Sequence, residues 1–157
     1  MADSPDHADV RIPPPLLYLG SLVIGLVVGR LLHIGGFAPY RSLSLYLGSV
    51  LTIAGVALVL AAAGLFRKRN TNVKPWQPAT TLVTSGLYRA TRNPMYLGMS
   101  LLYAGLALIL DSILALVLLP VVLIVIRTHV IAREEHYLEA RFGDDYRSYR
   151  QRVRRWF

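Results

Sequence analysis

From Met95 to Ile126 the chain reads MYLGMSLLYAGLALILDSILALVLLPVVLIVI, an apolar stretch broken once, at Asp111-Ser112. A single helix of that length is too long for one crossing of a hydrocarbon core about 30 Å thick, which about 20 residues span. The polar pair near the middle predicts a tight helical hairpin instead. Each arm then has about 16 residues, roughly 24 Å of helix, so one end should sit in protein or at the interface. Two apolar stretches precede it. The first, about Leu16 to Gly36, carries only Arg30 as a charge and is approached through Pro13-Pro14-Pro15. The second, about Leu43 to Phe66, has no charge and stops at Arg67-Lys68-Arg69. The fold class that follows is all-α: a polytopic membrane protein with about four transmembrane helices, the third and fourth a hairpin, and a cytoplasmic helical tail.

Composition agrees. Of 157 residues, 54% are hydrophobic and 17% charged, against about 25% charged in an ordinary soluble domain. Without cysteine, disulfide frameworks, thiolate zinc sites and cysteine nucleophiles are excluded. The net charge of +8 belongs with basic membrane flanks rather than with nucleic acid, given the apolar runs. The whole chain, 1–157, reads as one domain. It divides into a polar N-terminal tail (1–15), two spans (16–66), a cytoplasmic loop (67–94), the hairpin (95–131) and a cytoplasmic tail (132–157). The first span is expected to be retained rather than cleaved. Asp3, Asp6 and Asp9 precede it with Arg11 as the one fixed positive charge, and it exceeds the roughly 7–15 apolar residues of a signal core.

Basic residues set the expected orientation. Arg67, Lys68, Arg69, Lys74, Arg89 and Arg92 lie between spans two and three, and Arg133, Arg141, Arg147, Arg150, Arg152, Arg154 and Arg155 follow span four. The opposite turns hold only Arg41 and Asp111. The positive-inside rule makes both basic segments, and with them both termini, cytoplasmic, in what is expected to be a bacterial inner membrane. Chemistry is then expected where a water-soluble cofactor meets a lipid-soluble substrate.

The richest stretch is Leu82-Val83-Thr84-Ser85-Gly86-Leu87-Tyr88-Arg89-Ala90-Thr91-Arg92-Asn93-Pro94-Met95-Tyr96-Leu97-Gly98. Asn93-Pro94 is a helix-start signal, with Asn as N-cap and Pro at the first helical position. A helix start beside Arg92 suits a carboxylate or phosphate, or Arg92 contacts lipid phosphates. Tyr88 and Tyr96 form either an aromatic belt or the wall of a cofactor site. Gly25, Gly29, Gly98 and Gly105 fit close helix contacts. After span four, Arg133 to Gly143 reads as a helix closed by glycine, with Leu138 and Phe142 on one stripe. Glu134 and Glu135 are either solvated or bound to a cofactor. The tail alternates Tyr146, Arg147, Tyr149, Arg150, Arg152, Arg154, Arg155, Trp156 and Phe157, which suits an amphipathic helix on anionic lipid; stacking on nucleic acid bases fits the membrane setting poorly. His7, His33, His129 and His136 supply no convincing ligand set, so no metal is expected. Arg30 can snorkel from its span or meet an intramembrane partner.

Together these motifs resemble the isoprenylcysteine carboxyl methyltransferase family, which is related to the phospholipid N-methyltransferases. The resemblance covers about Thr71 to Trp156. It implies an integral membrane enzyme that takes methyl groups from S-adenosyl-L-methionine and acts on a lipid or lipidated acceptor. It also implies cofactor binding by Leu82, Val83, Tyr88, Arg92, Asn93, Pro94, Tyr96 and Glu134, with Glu135 as second choice, and catalytic roles for Arg92, Asn93 and Tyr96. Where the family carries His this chain has Asn93, which hydrogen-bonds but does not titrate near neutral pH. No dedicated base stands out. Two other functions fit the same pattern: an NADPH-dependent enzyme like the membrane sterol reductases, and a non-catalytic scaffold whose basic tail binds lipid.

Overall fold

A computed structural model describes residues 8, 10, 12–72 and 77–156. His7, Lys74 and Phe157, like Asp3, Asp6, Asp9 and Arg11, lie outside the described residues. The described residues form five α-helices: α1 (Pro14–Leu31), α2 (Arg41–Lys68), α3 (Pro94–Ile109), α4 (Ile113–Val125) and α5 (Ala132–Arg152). A π-helical turn, Ile126–Ile131, joins α4 to α5. Two short 3-10 turns, Ala38–Tyr40 and Gly86–Arg89, punctuate the loops.

The hairpin turns where the sequence places it. Asp111 takes a left-handed φ of 58°, a conformation that Asp tolerates better than most residues. The Ser112 side chain accepts from Ala115 N at 3.2 Å and so caps α4. Arg41 closes the same end by donating to two carbonyls in the last turn of α3, Leu108 O (3.2 Å), which also accepts from Asp111 N, and Ile109 O (2.9 Å). Asp111 Oδ1 accepts from Phe37 N at 2.7 Å, which ties the α1–α2 connection to the hairpin tip.

Glycine decides how close the helices come. A Cβ on Gly48 would stand 2.8 Å from Gly105 O, and one on Gly55 would stand 2.6 Å from Gly98 O. Two glycines seven residues apart on each helix therefore let α2 and α3 run antiparallel with their backbones in contact. Gly25 does the same for α1 against Ala115 of α4, while Gly29 meets only ordinary contacts. Gly55→Ala is accordingly expected to cost about 1–3 kcal/mol through overpacking, read as a lowered Tm in detergent. Gly64→Ala, with nothing within 4 Å, serves as the control.

α3 packs against α1, α2 and α4 and buries Tyr96, Gly98, Ser100, Tyr103, Gly105 and Ala107. At 16 residues it is short, but its neighbours rather than lipid cover much of it. The outer faces of α1, α2 and α4 are apolar and exposed, as at Leu19, Ile24, Ile53, Leu60, Val117 and Ile124. Such a girdle fits hydrocarbon and would be unusual in water. Among the described residues three helical segments are long and apolar enough to cross a membrane, and α3 is a shorter apolar helix.

The region beyond the hairpin departs from expectation at Gly143 and in its aromatic residues. It continues the second arm of the hairpin without a break, because no Gly or Pro lies between Val121 and Phe142 to end the helix. The rod continues through the π-turn, where Thr128 Oγ1 donates to Ile124 O at 2.8 Å. Gly143 then kinks rather than closes the helix, with φ 52° and ψ −122°, and the helix resumes to Arg152. The alternating aromatics also turn inward: Tyr146 and Tyr149 are buried and Trp156 packs on the core, so this stretch does not present an aromatic stripe to an open membrane surface.

Candidate functional site

The antiparallel order brings the N-terminal ends of α1 and α3 to the same end of the bundle as the C-terminal ends of α2 and α4. There the described residues between α2 and α3 (69–72 and 77–93) and α5 enclose a groove. The loop holds its own shape: Thr71 Oγ1 accepts from Thr80 N (3.0 Å) and Thr81 N (3.3 Å), and Asn72 Nδ2 donates to Pro78 O at 2.9 Å. α5 fastens to it through Tyr137 OH, which accepts from Ala79 N at 2.9 Å, and through Arg141 Nε, which donates to Ala79 O at 2.5 Å.

About 900 Å³ of space, open solvent included, lies within the groove. Leu82, Val83, Tyr88, Arg92, Asn93, Tyr96, Glu134 and Glu135 all line it. Pro94 does not: it is buried and opens α3. Sequence reasoning missed Phe66, Tyr137, Tyr146 and Tyr149, which complete an aromatic wall. Tyr149 OH donates to Tyr88 O at 2.7 Å, and Phe66 meets Tyr88 edge to face with centroids 5.4 Å apart. Spacing hinted at two of them, since Tyr146 and Tyr149 share a helical face. Burial holds the Tyr88 and Tyr149 phenols well above their ordinary range and pushes Tyr146 up to about 12, so all three stay neutral as walls and hydrogen-bonding groups.

The two glutamates occupy different settings. Glu135 is charge-matched: Arg155 grips it with Nε at 3.0 Å and Nη2 at 2.5 Å, and Arg92 Nη1 lies 3.1 Å from its Oε1. Among the described residues Glu134 has no such cation. Its Oε1 accepts from Tyr96 OH at 2.5 Å. It keeps some surface toward the groove it lines, yet lies deep in the surrounding protein. Desolvation therefore raises its carboxyl to about 7, with the Tyr96 hydrogen bond pulling down and the Glu135 charge pushing up. The sequence shows no base, and burial creates a carboxyl that exchanges its proton near neutrality.

Arg92 is the least satisfied group. Its Nη1 also donates to Tyr146 OH at 3.3 Å, but its buried Nε has no partner among the described residues. A buried donor left unpaired costs about 1–3 kcal/mol, which a ligand acceptor would recover. Asn93 departs from its expected role. It stands at the N-cap position but makes no cap hydrogen bond. Its Nδ2 instead donates to Arg155 O at 3.0 Å, because the chain beyond α5 folds back and presents that carbonyl. Among the described residues no group of three or more His, Asp or Glu is placed to hold a metal ion.

A phospholipid methyltransferase family model matches residues 39–145. An uncharacterized protein of Haemophilus influenzae is 47% identical over 62 residues, 40% of this chain and 98% of that protein. A protein-S-isoprenylcysteine O-methyltransferase of Schizosaccharomyces pombe is 36% identical over 72 residues, 46% of this chain but only 30% of that enzyme. No solved structure gives a significant match.

Proposed function

The chain belongs to the phospholipid methyltransferase family, whose model covers well over half of it, and from that premise we propose that the groove binds S-adenosyl-L-methionine and serves methyl transfer to a lipid or lipidated acceptor at the cytoplasmic face of the membrane. The observation that carries this reading is the unpaired Nε of Arg92, in a groove shared with Glu134 and the aromatic wall.

These residues fit the group in kind. Arg92 would hold a carboxylate and Glu134 an ammonium, while the neutral tyrosines and Phe66 suit a purine face and tolerate a sulfonium. When bound, the cofactor supplies a methyl carbon whose bond to sulfur breaks, the electron pair staying on sulfur, as the acceptor's lone pair forms the new bond. The chain's own residues bind, orient and exclude water. Positioning of that kind supplies most of the acceleration in a transfer needing no covalent help from the enzyme. A lipid or lipidated acceptor would enter the groove from the membrane side.

Calorimetry on the full chain in detergent tests the reading. S-adenosylmethionine is expected to bind with a Kd on the order of micromolar, about −8 kcal/mol, and NADPH not to bind measurably. Saturable binding of NADPH without S-adenosylmethionine would transfer the groove to a reductase. Binding of neither by folded protein would leave the scaffold reading.

A further inference from the structure

Past the end of α5, Val153 is extended, with φ −122° and ψ 127°, and the chain doubles back along the residues before α3. Arg92 N donates to Arg154 O at 3.0 Å. Thr91 Oγ1 and Asn93 Nδ2 both donate to Arg155 O, each at 3.0 Å. Three hydrogen bonds thus fix the backbone on both sides of one residue, and its guanidinium reaches Glu135 with two nitrogens. Such effort spent on a near-terminal arginine has a consequence for its neighbour. Arg92 and Arg155 contribute two positive charges against the one negative charge of Glu135, which leaves +1 in a cluster where Arg92 and Glu135 keep only 11% and 12% of their side-chain surface. Without Arg155 the count is zero, and Glu135 is free to engage Arg92 fully, Nε included.

We propose that Arg155 is a positioning residue of this site: by holding Glu135 it leaves the charge and free nitrogen of Arg92 for the carboxylate of the ligand's amino-acid end. The inference rests on the cofactor reading above and deepens it. It also accounts for Asn93, whose task at this place is to donate to a carbonyl. The cluster recognises an anion, and a lipid phosphate is the other source of one.

The test measures binding of S-adenosylhomocysteine and of methylthioadenosine, which shares the adenosine and thioether but lacks the amino-acid end. Arg155→Gln is expected to weaken S-adenosylhomocysteine by about 10- to 30-fold, the size of one charge-assisted contact, while methylthioadenosine stays within about twofold. Arg155→Lys, which keeps the charge, should stay within about threefold for both. The double variant Arg155→Gln/Glu135→Gln restores +1 and should recover S-adenosylhomocysteine to within about threefold of the unmodified chain, a coupling that a double-mutant cycle isolates. Equal weakening of both ligands would mean a general structural role and overturn the proposal, as would unchanged S-adenosylhomocysteine affinity or no recovery in the double variant. If dioleoylphosphatidic acid vesicles, not S-adenosylhomocysteine, lose affinity in Arg155→Gln, the anion is a lipid phosphate and the proposal falls. An unmodified chain that binds neither nucleoside overturns the cofactor reading itself, a different outcome from binding that ignores Arg155.

Discussion

Arg92→Gln is expected to raise the Kd for S-adenosylhomocysteine by at least about 30-fold and to lower methyl transfer by about 10² to 10³, as loss of a buried charge-assisted contact in a preorganised site does. The size follows from what the substitution removes. Among the described residues Arg92 is the wall residue with an unpaired buried donor. The neutral variant also takes the Arg92–Arg155–Glu135 cluster from +1 to zero. The fold should tolerate the change, because Glu135 retains both of its bonds from Arg155 and the bond from residue 92 to Arg154 O is made by the backbone. A modest fall in Tm together with a large loss of binding is therefore the expected pair of results. Arg92→Lys should recover only part of the affinity, since an ammonium lacks the planar fork that serves Glu135, Tyr146 and a ligand together. A Kd within threefold of the unmodified chain for Arg92→Gln would remove Arg92 from the binding site.

Positions were more legible than partners. The hairpin could be read because Asp111-Ser112 is a polar break in an otherwise apolar run, and a membrane helix leaves few other uses for such a pair. Heptad-spaced glycines at 98 and 105 signalled close packing, though only coordinates pair them with Gly55 and Gly48. Tyr88, Arg92 and Tyr96 could be picked out because a helix start and an aromatic pair mark the polar end of the bundle, whereas Leu82, and Glu134 ahead of Glu135, came only through the resemblance to the methyltransferase family. Arg155 looked like one more cation in a basic tail. What distinguishes it is the reversal of the chain at Val153, held by hydrogen bonds from Thr91 and Asn93 some sixty residues away in sequence. Local propensity contains no record of such a contact. The same limit applies to the end of α5: glycine at 143 signals a positive φ, but whether the helix then stops or kinks depends on Tyr146 and Tyr149 being buried on the loop.

The least legible property was the depth of Glu134, and it carries the second large expectation. The affinity for a ligand bearing an ammonium should rise by about 100-fold between pH 5 and pH 8, close to tenfold per pH unit up to about 7 and flat above. The carboxyl, ordinarily at 4.5, stands at about 7 in the folded chain, so below that it must give up its proton before it can serve as an anion. Binding of the cation should thus release a proton, which calorimetry in buffers of different ionisation enthalpy detects. Stability without ligand carries the opposite slope. Between about pH 4.5 and 7 the folded chain keeps a proton that the unfolded chain has lost, so this group's contribution is present at low pH and disappears as pH rises through about 7. Glu134→Gln should flatten both profiles and bind at pH 8 as weakly as the unmodified chain does near pH 5. Tyr96→Phe separates the carboxyl's charge from its bulk. The Tyr96 hydroxyl hydrogen-bonds Glu134 at 2.5 Å and holds its carboxyl down. Without that bond the binding profile should move to higher pH with its slope unchanged. A profile that stays in place in Tyr96→Phe, or keeps its slope in Glu134→Gln, would assign the titration to a different group and detach Glu134 from the ligand.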